Sequence, residues 1–103
     1  MTCAIVGIGR TQYTRCSGRT PLAMAVEAGR AALADAGFGL DVLDGMYTYQ
    51  TGDSASALEV SWAMGCDELA WSNTLLAGGN AVADCIATAA AVIEAGLCRA
   101  VLV

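Results

Sequence analysis

The 103-residue sequence contains no histidine and no lysine. The chain therefore offers no imidazole base and no amine for a Schiff base, so chemistry of either kind would need residues outside it. The five arginines do not cluster and the net charge is −5, which argues against nucleic-acid binding through a basic face. No apolar run approaches the ~18 residues of a transmembrane helix. A transmembrane helix is therefore not predicted. The sequence also does not open with a basic segment followed by an apolar one, so no secretory signal is predicted.

The five cysteines are odd in number and widely spaced, and no two form a C-x-x-C pair. This pattern argues against a disulfide framework and against a zinc site, so we predict no metal ligands. We expect most of these residues to be buried thiols of a cytoplasmic protein. Cys85 invites a nucleophilic interpretation, but it falls about two turns inside a predicted helix among alanines. Apolar sites seldom yield thiolates, so we interpret Cys85 as inert.

Residues 76–103 carry the strongest pattern. A Gly-Gly turn opens a helix at residues 80–95, and Gly96 follows where a left-handed helix end is expected. Only four of these helical positions are polar, which predicts a helix buried on almost all sides, with Val82, Ile86, Ala89 and Ile93 on one packed stripe. The apolar strand predicted at 100–103 would need neighbouring strands, so we interpret residues 1–103 as the front part of a longer protein. The alternative is a complete small domain that closes on a central strand.

The remaining sequence alternates between strand and helix patterns. Thr20 and Pro21 mark a helix start, and Gly37 marks its end. The predicted elements before residue 76 are a buried strand at 3–8, a loop or irregular strand extension at 10–19, a helix at 21–36, a strand at 46–49, a helix at 55–64 capped from the loop at 51–54, and a strand or edge segment at 69–75. Such alternation predicts an α/β fold. We interpret the aromatic residues Tyr47, Tyr49, Trp62 and Trp71 as core or interface residues.

Two glycine pairs suggest binding sites. Gly7 and Gly9 follow the first predicted strand, but Gln12 stands where a dinucleotide-binding motif needs its third glycine, so we favour a packed strand end. Gly78 and Gly79 open the long helix, where free N–H groups favour an anion, a thioester carbonyl oxygen or a thiolate. A close contact between helix and strand would also need small residues there, and both interpretations remain open.

Six segments carry a family resemblance through their order and spacing. They are AIVGIGRTQY at 4–13, SGRTPL at 17–22, ALADAG at 32–37, LDGM at 43–46, the Gly-Gly turn, and AVIEAGLCRAVLV at 91–103. Together they resemble the start of thiolase-superfamily proteins, nearly end to end. The branch that looks nearest is the lipid-transfer or sterol-carrier type, often labelled acetyl-CoA acetyltransferase.

The resemblance implies a five-layered α/β/α/β/α fold of two similar halves, with residues 1–103 as most of the first half. It also implies a homodimer, and a coenzyme A thioester as substrate rather than as a bound cofactor. In true thiolases a nucleophilic cysteine begins the buried helix; counted back from Ile93 and Gly96, that position falls on Gly79. No cysteine or serine lies between residues 76 and 82. We therefore predict no catalytic residue here, and we expect Gly78, Gly79 and Asn80 to line the substrate pocket.

Two functions fit this resemblance. The first is an acyl-CoA enzyme of acyltransferase or retro-aldolase type that makes or breaks a carbon–carbon bond beside the thioester. Some relatives without the cysteine resemble retro-aldolases that work with a zinc-ribbon/OB-fold partner and take their acid and base from the second half. The second is a non-catalytic carrier of lipid or acyl-CoA, or a partner subunit in a thiolase-like complex.

We expect the isolated 103-residue chain to be inactive and to self-associate, because its terminal strand and apolar helix would lack covering layers. Size-exclusion chromatography measures this association. A monodisperse monomer that unfolds cooperatively would contradict the interpretation as part of a longer protein.

Overall fold

The computed structural model describes residues 2–103, which form a parallel sheet with helices on both faces. The elements, in chain order, are α1 (Pro21–Ala36), a 3-10 turn (Leu40–Val42), β1 (Gly45–Gln50), α2 (Ala57–Met64), β2 (Trp71–Leu76), a 3-10 turn (Gly79–Ala81), α3 (Val82–Glu94) and β3 (Val101–Leu102). The strand order is β2-β1-β3, and both pairings are parallel. The predicted α/β class is confirmed, and the strands predicted at 46–49, 69–75 and 100–103 all form.

Local signals in the sequence set the helix ends. At the start of α1, the side-chain oxygen of Thr20 accepts a hydrogen bond from the Ala23 N–H at 3.1 Å. At its end, Gly37 adopts a left-handed conformation with a φ of 72°. Helix α2 begins at a capping box between Ser56 and Glu59. The cap predicted within the loop at 51–54 was therefore placed too early. The left-handed glycine predicted after α3 is confirmed, because Gly96 has a φ of 79°.

Alternating side chains of β1 face different helices. Met46 packs against Val60 and Met64 of α2, and side chains of α1 cover this cluster. Tyr47 faces the other side, where it contacts α3. The protein is thus layered, with α1 and α2 on one face of the sheet and α3 on the other.

Gly29 allows α1 to approach the neighbouring elements closely. A Cβ added there would lie 2.9 Å from Leu102 Cδ2 and 3.0 Å from Met64 Sδ. The buried glycine therefore lets α1 pack on α2 and β3 together.

The strand predicted at residues 3–8 is wrong. This segment has no regular secondary structure, and Ile5 and Ile8 are 75% and 80% exposed. It lies instead along α1, where the Ile8 N–H donates to Asp35 Oδ2 at 2.9 Å. Gly7 and Gly9 permit this contact, because a Cβ at either position would overlap α1 backbone atoms. β-Branched composition favours a strand, but it does not supply a strand edge to pair with.

Within residues 2–103, α3 does not show the all-round burial predicted for it. Cys85 and Ala89 are buried against the sheet, whereas Val82 and Ile86 are each 44% exposed. Of the predicted stripe, only Ala89 is buried and Ile93 is half-buried. The reason is geometric, since within residues 2–103 the sheet is the layer on which α3 packs, and its outer side has no element across it.

Asp44 joins the amino ends of the three strands. Its carboxylate accepts hydrogen bonds from the N–H groups of Arg99 at 2.8 Å and Ala100 at 3.0 Å. Its backbone oxygen accepts from the N–H groups of Ala70 and Trp71, just before and at the start of β2. Burial raises the pKa of Asp44, but the Ala100 and Arg99 N–H donors outweigh it and hold that pKa below its usual value.

We expect Asp44→Ala to lower the free energy of unfolding by about 1–3 kcal/mol, because two backbone N–H groups lose their acceptor. Since the folded pKa of Asp44 is depressed, its stabilisation is present above the unfolded pKa of about 3.9 and is lost as the pH falls through the folded value. Urea unfolding at pH 7 and at successively lower pH measures both effects. The exposed Glu68→Ala is the control. Equal stability of Asp44→Ala and wild type at pH 7 would contradict the prediction.

Candidate functional site

The carboxyl edge of the sheet brings two loops together. Gln50 and Leu76 end neighbouring strands in register, and the Ala77 N–H donates to the Gln50 backbone oxygen at 3.0 Å. The loop at 51–56 and the turn at 77–81 therefore leave from the same edge. Ligands of parallel α/β proteins bind at this edge, where the strands end.

The predicted pocket residues Gly78, Gly79 and Asn80 lie at this edge and are exposed. The 3-10 turn is closed by a hydrogen bond from the Ala81 N–H to the Gly78 oxygen at 3.0 Å. In the part of the chain that the structure describes, no side chain caps this turn or α3. The first N–H groups of a helix have no partner within it, so this turn presents backbone donors to solvent.

Close packing does not explain the two glycines. A Cβ added at Gly79 would meet nothing within 4 Å, and one at Gly78 would make only an ordinary contact with Asn80 at 3.8 Å. Of the two open interpretations, helix-to-strand packing thus finds no support. A role for these residues in holding a ligand stays a prediction.

A buried tyrosine contacts α3 one turn beyond the glycines. Tyr47 is only 2% exposed, and its hydroxyl donates to Asp84 Oδ2 at 3.2 Å. Its ring meets Trp71 edge to face, with centroids 5.5 Å apart. Burial, followed by the hydrogen bond and charge of Asp84, raises the pKa of Tyr47, so the hydroxyl keeps its proton.

Sequence reasoning placed Tyr47 and Trp71 correctly in packed surroundings but missed the role of Asp84. The available signal was a carboxylate in the first turn of a mostly apolar helix. Trp62, interpreted as a core or interface residue, is 86% exposed within the described chain.

Cys85 has the surroundings of an unreactive thiol. Its side chain is fully buried, and burial, followed by the charge of Asp84, raises its pKa. A raised pKa disfavours the thiolate, which is the nucleophilic form. The interpretation of Cys85 as a buried, inert thiol therefore agrees with the structure.

An open cavity of about 710 Å³ lies at the opposite, amino edge of the sheet. It is bordered by acidic residues and one arginine: Asp41, Asp44, Asp67, Glu68 and Arg99. This edge is remote from the glycine turn, so we place the candidate site at the carboxyl edge. Within residues 2–103, no three metal-ligating side chains converge on a common point. None of the helices described for this chain has the length and apolar character needed to cross a membrane.

No protein-family model matches the chain. Over 99 residues it is 36% identical to a steroid side-chain-cleaving aldolase of Thermomonospora curvata. It is 37% identical over 99 residues to a 17-hydroxy-3-oxo-4-pregnene-20-carboxyl-CoA lyase of Mycobacterium tuberculosis. Each alignment covers 96% of this chain and 25% of the relative. The chain therefore spans about a quarter of the length of the curated relatives it matches.

Two solved structures share the fold. An Ltp2-ChsH2(DUF35) aldolase superposes with a TM-score of 0.88 at 37% identity, over 95% of this chain and 25% of that one. The priming β-ketosynthase of the R1128 polyketide biosynthetic pathway gives a TM-score of 0.76 at 19% identity, over 92% and 38%. At that identity the second likeness concerns the fold alone.

The comparisons support the thiolase-like resemblance at a coarse level. The relatives carry the names of aldolases and a lyase, so the sterol-carrier branch suggested by the sequence is not specifically supported. The acetyltransferase and lipid-transfer assignments, the homodimer and the cytoplasmic location stay predictions.

We expect a thiol-alkylating reagent at pH 7 to modify the exposed Cys16 readily. Cys85 and Cys98 should react at least about 100-fold more slowly, because both are buried and the protein must open before the reagent reaches them. Mass spectrometry of the peptides measures the alkylation rate of each cysteine. The same reaction in denaturant gives the rate of each thiol in the unfolded chain, to which the folded rates are compared. Alkylation of Cys85 at the rate of Cys16 in the folded protein would contradict the assignment of an inert thiol.

Proposed function

We propose that these 103 residues are the N-terminal segment of a thiolase-like protein that cleaves β-hydroxyacyl-CoA thioesters by retro-aldol chemistry. The observation that carries the proposal is the 36% and 37% identity, over 99 residues, to two curated proteins named as an aldolase and a CoA lyase. Because the chain covers 25% of each relative, the activity belongs to the whole protein.

The reaction needs no enzyme nucleophile. A base takes the proton of the β-hydroxyl group, and the bond between the α and β carbons breaks. The β carbon becomes a ketone or aldehyde, and the electron pair passes to the α carbon as an enolate spread onto the thioester oxygen. Protonation of the α carbon then releases a shorter acyl-CoA. In the retro-aldolases that the chain resembles, the base and acid come from the second half, so we place both outside these residues.

In this proposal the turn at Gly78, Gly79 and Asn80 binds the thioester. Its exposed N–H groups stand at the start of α3, where the helix dipole favours negative charge. Hydrogen-bond donors aimed at an oxygen that gains charge in the transition state lower the barrier. The developing enolate oxygen is such an acceptor, so this segment would supply electrostatic stabilisation rather than proton transfer.

Acyl transfer through a covalent intermediate is less well supported. It would need a thiolate at the start of α3, where Gly79 carries no side chain. The nearby Cys85 is buried and its pKa is raised. A non-catalytic carrier role is also less well supported, because both curated relatives are named for bond cleavage.

The proposed substrate is a CoA ester of a steroid side chain, in line with the names of the two relatives. We also propose a second protein in the assembly. The solved neighbour named as an Ltp2-ChsH2(DUF35) aldolase supports such a partner. The zinc-ribbon/OB-fold protein implied by the resemblance would fill this role, and the thiolase-like part would be a homodimer.

The proposed whole protein has the five-layered fold of two similar halves. Its second half would cover the outer side of α3, where Val82 and Ile86 are each 44% exposed. Burial of both side chains would add about 1–2 kcal/mol of hydrophobic stabilisation for each, at roughly 25 cal/mol per Å² of apolar area.

We expect the whole protein, mixed with a DUF35-type partner, to convert a steroidal β-hydroxyacyl-CoA into a ketone and a shortened acyl-CoA. Thiolysis of a β-ketoacyl-CoA by free CoA should be absent, because no acyl-enzyme forms. Liquid chromatography with mass spectrometry identifies the products of each reaction.

Gly79→Val should lower kcat/KM at least about 100-fold, because a branched side chain would stand over the exposed N–H donors. Ala34→Val, at an exposed position of α1 on the opposite side of the sheet, is the matched control and should retain activity. Substrate binding without cleavage would favour the carrier function. Thiolysis with a covalently acylated protein would overturn the proposed mechanism.

A further inference from the structure

Helix α3 meets the sheet through a surface of small side chains. The buried residues at this contact are Ala81, Cys85 and Ala89, at 3%, 0% and 8% exposure. Helix packing is normally fixed by large side chains that interlock with grooves of the neighbouring element. Methyl and thiol groups interlock little, and the larger Val92 and Ile93 lie near the end of α3 and are only half-buried, so apolar packing defines the position of the start of α3 weakly.

One directional side-chain contact with the sheet opposes a shift of α3. Among the residues that the structure describes, the Tyr47 hydroxyl and Asp84 Oδ2, 3.2 Å apart, form the one side-chain hydrogen bond between α3 and the sheet. A hydrogen bond weakens steeply as its distance and angle change. The bond from Tyr47 to Asp84 therefore defines the position of α3 on the sheet, which the small side chains do not define.

Tyr47 is a fixed reference for this bond. It lies in the central strand, in register with Asn73 of β2, and its side chain is 2% exposed. Its ring is also held edge to face against Trp71 at 5.5 Å. The bond therefore positions α3 relative to Tyr47.

Movement of α3 would displace the glycine turn. Asp84 follows Asn80 by four residues, which is about 6 Å along a helix at 1.5 Å per residue. The turn Gly79–Ala81 has no side-chain cap within residues 2–103, so its position follows that of α3.

We propose that the hydrogen bond from Tyr47 to Asp84 sets the position of α3 on the sheet, and through it the position of the Gly79 and Asn80 N–H donors. Tyr47 and Asp84 are thus positioning residues, and neither touches the substrate. The kinetic consequence rests on the proposed function, whereas the structural consequence does not.

The kinetic test uses the whole protein with its partner under single-turnover conditions. Tyr47→Phe removes the hydroxyl and keeps the ring, and Asp84→Ala removes the acceptor. Each should lower the single-turnover rate constant about 10- to 100-fold, since displacements of about 1 Å cost rates of this order. The reaction amplitude should not change, whereas a purely structural defect would lower the amplitude by reducing the folded fraction.

The two substitutions break the same bond, so the double variant should be no slower than either single variant. Asp84→Asn keeps an acceptor oxygen and should stay within about 3-fold of wild type. Tyr49→Phe removes a hydroxyl from the same face of β1 without touching this bond, and it should leave the rate constant unchanged. Additive effects of Tyr47→Phe and Asp84→Ala would overturn the proposal.

Amide hydrogen exchange tests the structural part independently of catalysis. In Tyr47→Phe, exchange at the hydrogen-bonded amides of α3, residues 86–90, should become about 10-fold faster, while the amides of α1 remain unchanged. If the wild-type protein cleaves no substrate, the proposed function fails and the exchange result still decides the present inference. Unchanged exchange at residues 86–90 would overturn the positioning role.

Discussion

One aspartate at the start of the central strand connects the amino ends of all three strands. The carboxylate of Asp44 accepts from two N–H groups just before β3, while its backbone oxygen accepts from the N–H groups of Ala70 and Trp71. Parallel strands are joined only by long crossover connections, so nothing adjacent in sequence aligns them. This connection fixes the strand starts, and the register of β1 with β2 then places Gln50 beside Leu76 at the opposite edge. The candidate site occupies that opposite edge.

The helix ends were predictable because their causes are local. Thr20 and Pro21 begin α1, and glycines with positive φ follow each of the three α-helices, at Gly37, Gly65 and Gly96. Each of these signals acts over three or four residues and needs no tertiary partner. The placement of Gly78, Gly79 and Asn80 at the mouth of a helix followed from the same local pattern.

The remaining features depend on contacts between distant residues. The strand predicted at 3–8 had the right composition, but the segment approaches α1 through Gly7 and Gly9 instead of pairing with a strand. Within these residues α3 is covered on one side only, because apolar composition does not tell which layers surround a helix. Asp44 lies 55 residues from Arg99, and Tyr47 lies 37 residues from Asp84, so neither contact has a signature in one sequence. Such pairs become visible only when the fold brings them together.

The two indole rings occupy very different environments. Trp62 projects from α2 and is 86% exposed, whereas Trp71 is partly covered and stands against the ring of Tyr47. Indole emission shifts to shorter wavelength as water is removed from around the ring, so Trp62 contributes more to the red edge of the protein's emission and Trp71 more to the blue edge. The red edge of the emission reports the surroundings of Trp62, on the solvent-facing side of α2. The blue edge reports the surroundings of Trp71, beside Tyr47 and beneath α3. This ring therefore gives the site an intrinsic optical probe without any added label.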